Sequence, residues 1–330
     1  MANNNNPISI TVMSLNPSID WQWTTPSFVY GGLNRAKSGE HYASGKGINV
    51  CAALKNIGLD PLCMGFNFRD NGDFITNALD KWGVRHDFVM VDGEVRVNIK
   101  LYDSLTGEMT ELNQPGAHVP ECAVHALHNK VAAVTFALDN IHGSNQMLVL
   151  SGSMPAGVPT DTYKQLCATW PGMVILDADG DALQIALTGK KPPYCIKPNL
   201  YELKNLAANH MLPDAQLLSK EDIAVFCQHI IHKYGVNMIC VSMGAGGAML
   251  VTEAKNYYVP AQEVTVRGVQ GAGDAMVAGL VYGLTHGLTA QELLQTATAA
   301  ATATVARDGT QMCTHEGFMK YMCQFNLGNA

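Results

Sequence analysis

The sequence predicts an α/β protein built on a mainly parallel sheet with helices on both faces. Two observations carry that expectation. From residue 147 onward, short apolar runs alternate with helical stretches, and each run ends in polar residues or glycine, as buried parallel strands joined by crossovers do. Further on, Gly271, Ala272, Gly273 and Asp274 lead into the apolar run 275–284, so a glycine turn feeds a helix.

The chain of 330 residues is 47% apolar and 15% charged, enough to bury one large core. Its net charge of −7, with 21 basic against 28 acidic residues and no long basic run, argues against a nucleic-acid surface. Any phosphate site must therefore be a local gathering of cations. No window approaches the ~20 uninterrupted apolar residues of a membrane span. Nine scattered cysteines without a Cys-x-x-Cys pair, sixteen methionines and no secretory leader point to a reduced, cytoplasmic chain. The polar opening over 1–6 is expected to be poorly ordered.

Taken in order, 8–15 reads as a buried strand that ends at Asn16 and Pro17, which places Asp20 at a strand's carboxyl end, where open α/β sheets bind ligands. Residues 21–40 hold aromatics, prolines and the pair Gly31 and Gly32 without helical period, suggesting short strands. A second glycine turn, Gly45-Lys46-Gly47, opens a helix whose apolar positions 50, 53, 54 and 57 have helical spacing, with Gly58 as its stop. It is not a Walker A loop. Strands are expected at 88–91, 95–102 and 108–112. In the middle one, Val95, Val97, Ile99 and Leu101 alternate with Arg96, Asn98, Lys100 and Tyr102. Its polar face fits solvent or the inner surface of a lid. Beyond 147 the expected strands lie at 147–150, 174–176, 195–196 and 238–241, with helices at 161–169 and 220–234. In the 275–284 run, Ala275, Gly279 and Gly283 form a small-residue helix face, suited to the slim alanine- and threonine-rich helix expected at 290–306.

A glycine turn that opens a helix leaves N–H groups unpaired at the positive end of the helix dipole, an anion site. Asp274 beside it fits a general base for a hydroxyl, with the N–H groups holding a transferring phosphoryl group. On the tetrapeptide alone, an ordinary N-cap is the more economical account. Elsewhere, Lys46, Arg96 and Ser153 offer cationic and hydroxyl donors. Asn199 and Glu202 form an Asn-x-x-Glu pair able to order a hydrated magnesium ion. Asp177 and Asp179 fit helix caps, and the histidines form no metal or triad pattern.

Seven segments in order, 15–20, 45–50, 93–99, 110–116, 151–155, 197–203 and 271–279, give the chain its resemblance to the phosphofructokinase-B-type sugar kinases of the ribokinase-like superfamily. The resemblance runs from about Ile8 to the last helix. The segments at 93–99 and 110–116 look most like those of bacterial 1-phosphofructokinases and tagatose-6-phosphate kinases. It implies one ribokinase-like kinase domain over 7–330, with strands inserted within about 21–43 and 88–112 as a small β-sheet lid that pairs with a second subunit. It implies Asp274 as catalytic base, with Gly271, Ala272 and Gly273 as the anion hole. Asp20, Gly45 and Asn49 would hold sugar hydroxyls, and Lys46, Arg96 and Ser153 the phosphate already on the sugar. Lys197, Ser242, Gly244 and Gly247 would line ATP, Asn199 and Glu202 would organise Mg2+ through water, and a K+ ion would sit near the catalytic loop.

The chain departs from the family pattern at Ser44, Val95, Gly268 to Gln270 and Ala275, none of which removes the acid or the glycine turn. The expected activity is phosphorylation of fructose 1-phosphate to fructose 1,6-bisphosphate by ATP. The alternatives are tagatose 6-phosphate or fructose 6-phosphate as acceptor, an uncharged sugar, or a sugar-phosphate- and nucleotide-binding regulator whose catalysis has lapsed. Two cations at the acceptor site speak against the uncharged sugar.

Overall fold

The computed structural model describes residues 8–142, 145–209 and 219–327. The expectation for 1–6 lies outside the described residues. The elements run β1 (Ser9–Ser14), β2 (Ser18–Thr25), β3 (Ser38–Ser44), α1 (Lys46–Asn56), β4 (Leu62–Phe68), α2 (Asp73–Trp82), β5 (Arg85–Val91), β6 (Arg96–Asp103) and β7 (Met109–Asn113). Then come α3 (Glu121–His142), β8 (Gln146–Ser151), α4 (Thr162–Thr169), β9 (Met173–Asp177), α5 (Gly180–Leu187), β10 (Cys195–Ile196), α6 (Leu200–Asn209), α7 (Lys220–Tyr234) and β11 (Met238–Ser242). The chain finishes with β12 (Ala248–Thr252), β13 (Asn256–Val259), α8 (Ala272–Thr285), α9 (Ala290–Val305) and α10 (His315–Cys323).

Nine strands form the main sheet in the order β13-β12-β11-β10-β9-β8-β1-β4-β5. Every pair from β11 to β5 is parallel, and only the β11–β12–β13 end turns antiparallel. β8 to β11, buried along nearly their whole length, read as unbroken apolar runs because helices cover both faces. The chain leaves β1 towards β4 on one side and returns through β8 on the other. That reversal opens a crevice at the carboxyl ends of β1 and β8, where sheets of this kind hold ligands.

Four strands form a second sheet, β3-β2-β6-β7, with β2 and β6 parallel and both edges antiparallel. Two sequence expectations need correction here, and a third, open between solvent and the inner surface of a lid, is decided. Residues 88–91 belong to β5 of the main sheet, because β4, α2 and β5 make a parallel crossover unit, so the second part of the lid begins only at Arg96. Asp20 does not end β1: Asn16 and Pro17 turn the chain straight into the lid, and Asp20 is the third residue of β2. On β6 the polar face is the covered one, with Asn98 and Lys100 buried, while Val97, Ile99 and Leu101 are half-exposed on the outside. The long helix α3 had no counterpart in the sequence reading.

α8 lies along α9 at very short range. A Cβ on Gly279 would stand 2.6 Å from the Ala297 Cα, inside any real contact distance, so glycine is required for this approach. On the α9 side, Ala297, Ala299, Ala300 and Ala303 are buried, and Thr296, Thr298, Thr302 and Thr304 return their hydroxyls to carbonyls one turn back. Slim side chains thus hold the start of α8 in place.

Candidate active site

At the start of α8, Gly271 takes φ 74°, a left-handed value that favours glycine, and serves as the N-cap. Asp274 is therefore a first-turn residue and not the cap, which removes the capping account of it. The first intrahelical bond is donated by Ala275 to the Gly271 carbonyl at 2.8 Å, so the N–H groups of Ala272, Gly273 and Asp274 stay without helical partners. The Asp274 side chain is 5% exposed and accepts one bond, from Asn49 Nδ2 at 2.8 Å. Burial, with the Asp177 carboxylate nearby, pushes its pKa up to about 6, against the pull of Lys46, Asn49 and Lys197.

Three adjoining cavities meet around this carboxylate. The central one, roughly 420 Å3, is lined by Asp274, Gly271, Gly273, Asp20, Gly45, Lys46, Asn49 and Arg96, together with lid residues of β6 and β7. A recess of about 210 Å3 opens off it between the ends of β1 and β8, with Lys46, Arg96, Asn16 and Ser153 in its walls. On the other side, a larger, apolar cavity of roughly 620 Å3 is lined by Gly244, Gly247, Val264, Val266, Met276 and Val305, among others. Asn199, Ser242 and Gly273 border both the central and the apolar cavity, while Lys46 and Arg96 border both the central cavity and the recess.

The charges are distributed unevenly. Asp177 ends β9, wholly buried, with Lys197 Nζ at 3.2 Å and Lys46 Nζ at 3.4 Å. Burial pushes its pKa up, but the two ammonium groups outweigh that and hold it below the usual carboxylate range. Lys46, raised chiefly by Asp177, also lies 4.0 Å from Glu202. Lys100 is 2.6 Å from Asp20, and Ser18 and Asn98 donate to the other Asp20 oxygen. Arg96 differs from all of these. It donates only to the backbone carbonyls of Asn16 and Gln114, and among the described residues no carboxylate pairs with it. Desolvation lowers its pKa, and the Asp20 carboxylate, which forms no ion pair with it, pulls the other way more weakly.

The expected residues thus converge, with differences. Lys197 lies against Asp177 and Gly273 in the central cavity and does not border the apolar one. Ser153 accepts from Asn16 Nδ2 at 3.1 Å in the recess. Asn199 and Glu202 cap α6 reciprocally: the Asn199 N–H donates to Glu202 Oε2 and the Glu202 N–H to Asn199 Oδ1. This leaves Glu202 Oε1, beside Lys46, as the carboxylate oxygen free to face the cavity. Among the described residues no cluster of three metal-ligating side chains exists. The donor set suits a cation that keeps its waters and takes phosphate oxygens, as Mg2+ does. Asp177 reads in the sequence as a helix cap; the apolar strand ahead of it is the available sign of its burial. Lys100 and Asn98 were visible only as one polar stripe. The apolar cavity wall, drawn from the 261–269 segment and from α9, had no sequence signal.

The model of the pfkB family carbohydrate kinases matches residues 10–316. A 1-phosphofructokinase of Borreliella burgdorferi is 32% identical over 96% of this chain and 98% of that protein. The 1-phosphofructokinase of Escherichia coli K12 is 30% identical over 96% and 97%. Among solved structures, the phosphofructokinase-2 of Escherichia coli in complex with potassium superposes with a TM-score of 0.86 at 26% identity, over 97% of this chain and 99% of that one. A ribokinase from Thermotoga maritima shares the fold, with a TM-score of 0.74 at 20% identity.

Proposed function

We propose, since the chain belongs to the pfkB family of carbohydrate kinases, that it transfers the γ-phosphoryl group of ATP to fructose 1-phosphate, giving fructose 1,6-bisphosphate. One observation carries the choice of a phosphorylated acceptor. Arg96 is a half-buried guanidinium without a carboxylate partner among the described residues, in the wall of a recess that opens beside the buried acid Asp274. A desolvated cation left unpaired is costly unless an anion arrives to pair with it, and phosphate matches its fork of donors. Lys46, the other cation of the recess, is already engaged by Asp177, so the argument rests on Arg96.

In this arrangement the phosphate of the sugar sits in the recess against Arg96 and Ser153, with Lys46 at its inner edge. Asp20, Asn49 and the turn at Gly45 hold hydroxyls, and the acceptor hydroxyl lies against Asp274. Asp274 takes that proton as the oxygen attacks the γ-phosphorus, and ADP leaves. The N–H groups of Ala272, Gly273 and Asp274 face the charge on the transferring group, and Gly271 provides the turn that exposes them. The nucleotide runs from the central cavity past Ser242 into the apolar cavity beside Gly244 and Gly247, where the base finds apolar walls. Asn199 and Glu202 would hold Mg2+ through water, and the ion would supply neutralisation of phosphate charge. Lys46 and Lys197 flank the buried Asp177 carboxylate, and Lys197, beside Gly273 in the central cavity, faces the transferring phosphoryl group. The potassium complex of the phosphofructokinase-2 neighbour supports the K+ expectation, and activity in potassium against sodium salts checks it.

We also assign a homodimer formed through the lid; a tetrameric form is recorded for that same neighbour. No helix among the described residues is long and apolar enough to cross a membrane. All nine cysteines are free, which supports a reducing, cytoplasmic setting.

The test is a coupled assay of ADP release with fructose 1-phosphate, tagatose 6-phosphate, fructose 6-phosphate and fructose. Fructose 1-phosphate is expected to give the highest kcat/KM, and unphosphorylated fructose the lowest. A chain that turns over fructose as well as any phosphosugar would defeat the role given to Arg96.

A further inference from the structure

The inner face of the lid carries a group that the proposed reaction has not yet used. Lys100 is 4% exposed, lies in the wall of the central cavity, and holds its Nζ 2.6 Å from Asp20 Oδ2. Lysine is among the residues least often buried, and its ammonium carries three N–H donors. Among the described residues, Asp20 provides the partner for one of them. Asp20 is fixed from its other side, since Ser18 Oγ at 3.1 Å and Asn98 Nδ2 at 3.0 Å both donate to Oδ1. Stability gives little reason to bury such a pair, because apolar residues of similar volume do as well or better. The pair therefore puts an anchored acceptor next to a donor with spare hydrogens, on the surface facing Asp274 across the cavity.

The geometry points to Lys100 as a specificity-determining residue for the acceptor sugar: its ammonium donates to one hydroxyl oxygen while Asp20 accepts from the adjacent hydroxyl. This rests on the central cavity being the phosphosugar site. The strand register supports it. Asp20 stands opposite Asn98, and Gln22 opposite Lys100, so Asp20 and Lys100 lie diagonally on one face of the β2–β6 pair. A sugar laid against that face meets an acceptor and then a donor, the order in which a pair of neighbouring hydroxyls is distinguished from one that lacks an oxygen. A site built to hydrogen-bond a hydroxyl rejects the analogue without it, because the polar groups of the site are then left unpaired.

Steady-state kinetics with fructose 1-phosphate and a series of its analogues, each lacking one hydroxyl, tests the inference. Wild-type enzyme that phosphorylates none of the phosphosugars would overturn the functional reading itself, and this inference with it. Given turnover, Lys100→Met is expected to raise the phosphosugar KM about tenfold or more, the scale of a lost charge-assisted hydrogen bond. The ATP KM should stay within about twofold. The wild type should discriminate against one particular deoxy analogue by a similar factor, and the variant should be indifferent to that same change. Because Lys100→Met leaves the buried Asp20 carboxylate unpaired, Asp20→Asn combined with Lys100→Met keeps the test available if the single variant does not fold. That double variant should be indifferent to two of the deoxy changes. Folded variants that keep every wild-type discrimination, or a sugar KM and an ATP KM that rise together, would show Lys100 to be a structural counter-ion and nothing more.

Discussion

Burial that raises the Asp274 carboxyl to about 6 makes it a stronger base than an exposed aspartate and also a source of instability. An acid whose folded pKa lies above its unfolded value of about 4 keeps its proton longer in the fold. The cost of ionising it in place therefore grows between pH ~4 and ~6 and is constant above that. Asp274→Asn is expected to cut turnover by about 10²-fold or more while leaving both substrates bound. Above pH 6 the same variant should unfold at higher denaturant, by up to about 3 kcal/mol, and the gain should vanish near pH 4. In the wild type, kcat/KM should fall on the acid side with a midpoint near 6. A variant that keeps more than half of the turnover would remove Asp274 from catalysis. Arg96 makes the matching case for binding. Arg96→Ala should raise the phosphosugar KM by about tenfold or more and leave the ATP KM nearly unchanged, since its loss removes a charge-assisted contact on the sugar side alone. Equal losses for both substrates would make it a structural residue.

At the scale of elements, the helix at 272–285 was legible because two independent signals agreed. The glycine turn set its start, and the small residues at 275, 279 and 283 set the face it would bury. Gly279 now gives that face a physical cause, the 2.6 Å approach of its absent Cβ to the Ala297 backbone. Gly279→Val should force α8 away from α9 at a cost of about 1–3 kcal/mol, read as a lower urea midpoint. Because Asp274 lies one and a half turns up the same helix, turnover should fall by more than the loss of folded protein explains. An unchanged midpoint would mean that the helices have slack here. What stayed hidden is equally specific. Asp20 reads as the end of a strand because local sequence cannot say that Asn16 and Pro17 divert the chain into a second sheet. The alternation in β6 revealed two faces but not which one is covered, since that depends on a sheet contributed by residues 18–44 and 109–113. Asp177 looked like a cap because its partners, Lys46 and Lys197, are 131 and 20 positions away.

Over the whole molecule, the lid poses the remaining physical problem. Its inner face is polar and turned to the cavity, so its apolar face is the outer one: Trp21 is 36% and Leu112 68% exposed, with Trp23, Val97, Ile99 and Leu101 half-exposed around them. Trp21 stacks on His41 at 4.9 Å, and Trp23 meets the same ring edge-on, so the aromatics cover part of one another and leave the aliphatic centre open. A four-stranded sheet with one face on a substrate cavity and an apolar face in water is poorly supported by its own packing. Clasping the same face of a second copy would bury that surface with two-fold symmetry, and would tie the closing of the lid over sugar to the stability of the pair. Sedimentation at micromolar concentration should therefore give a dimer. Ile99→Asp, which places a charge at the centre of the outer face and leaves every cavity residue in place, should give a monomer with a raised phosphosugar KM. A wild-type chain that sediments as a monomer, or an Ile99→Asp chain that stays dimeric, would move the interface away from the lid and leave the chemistry at Asp274 as it stands.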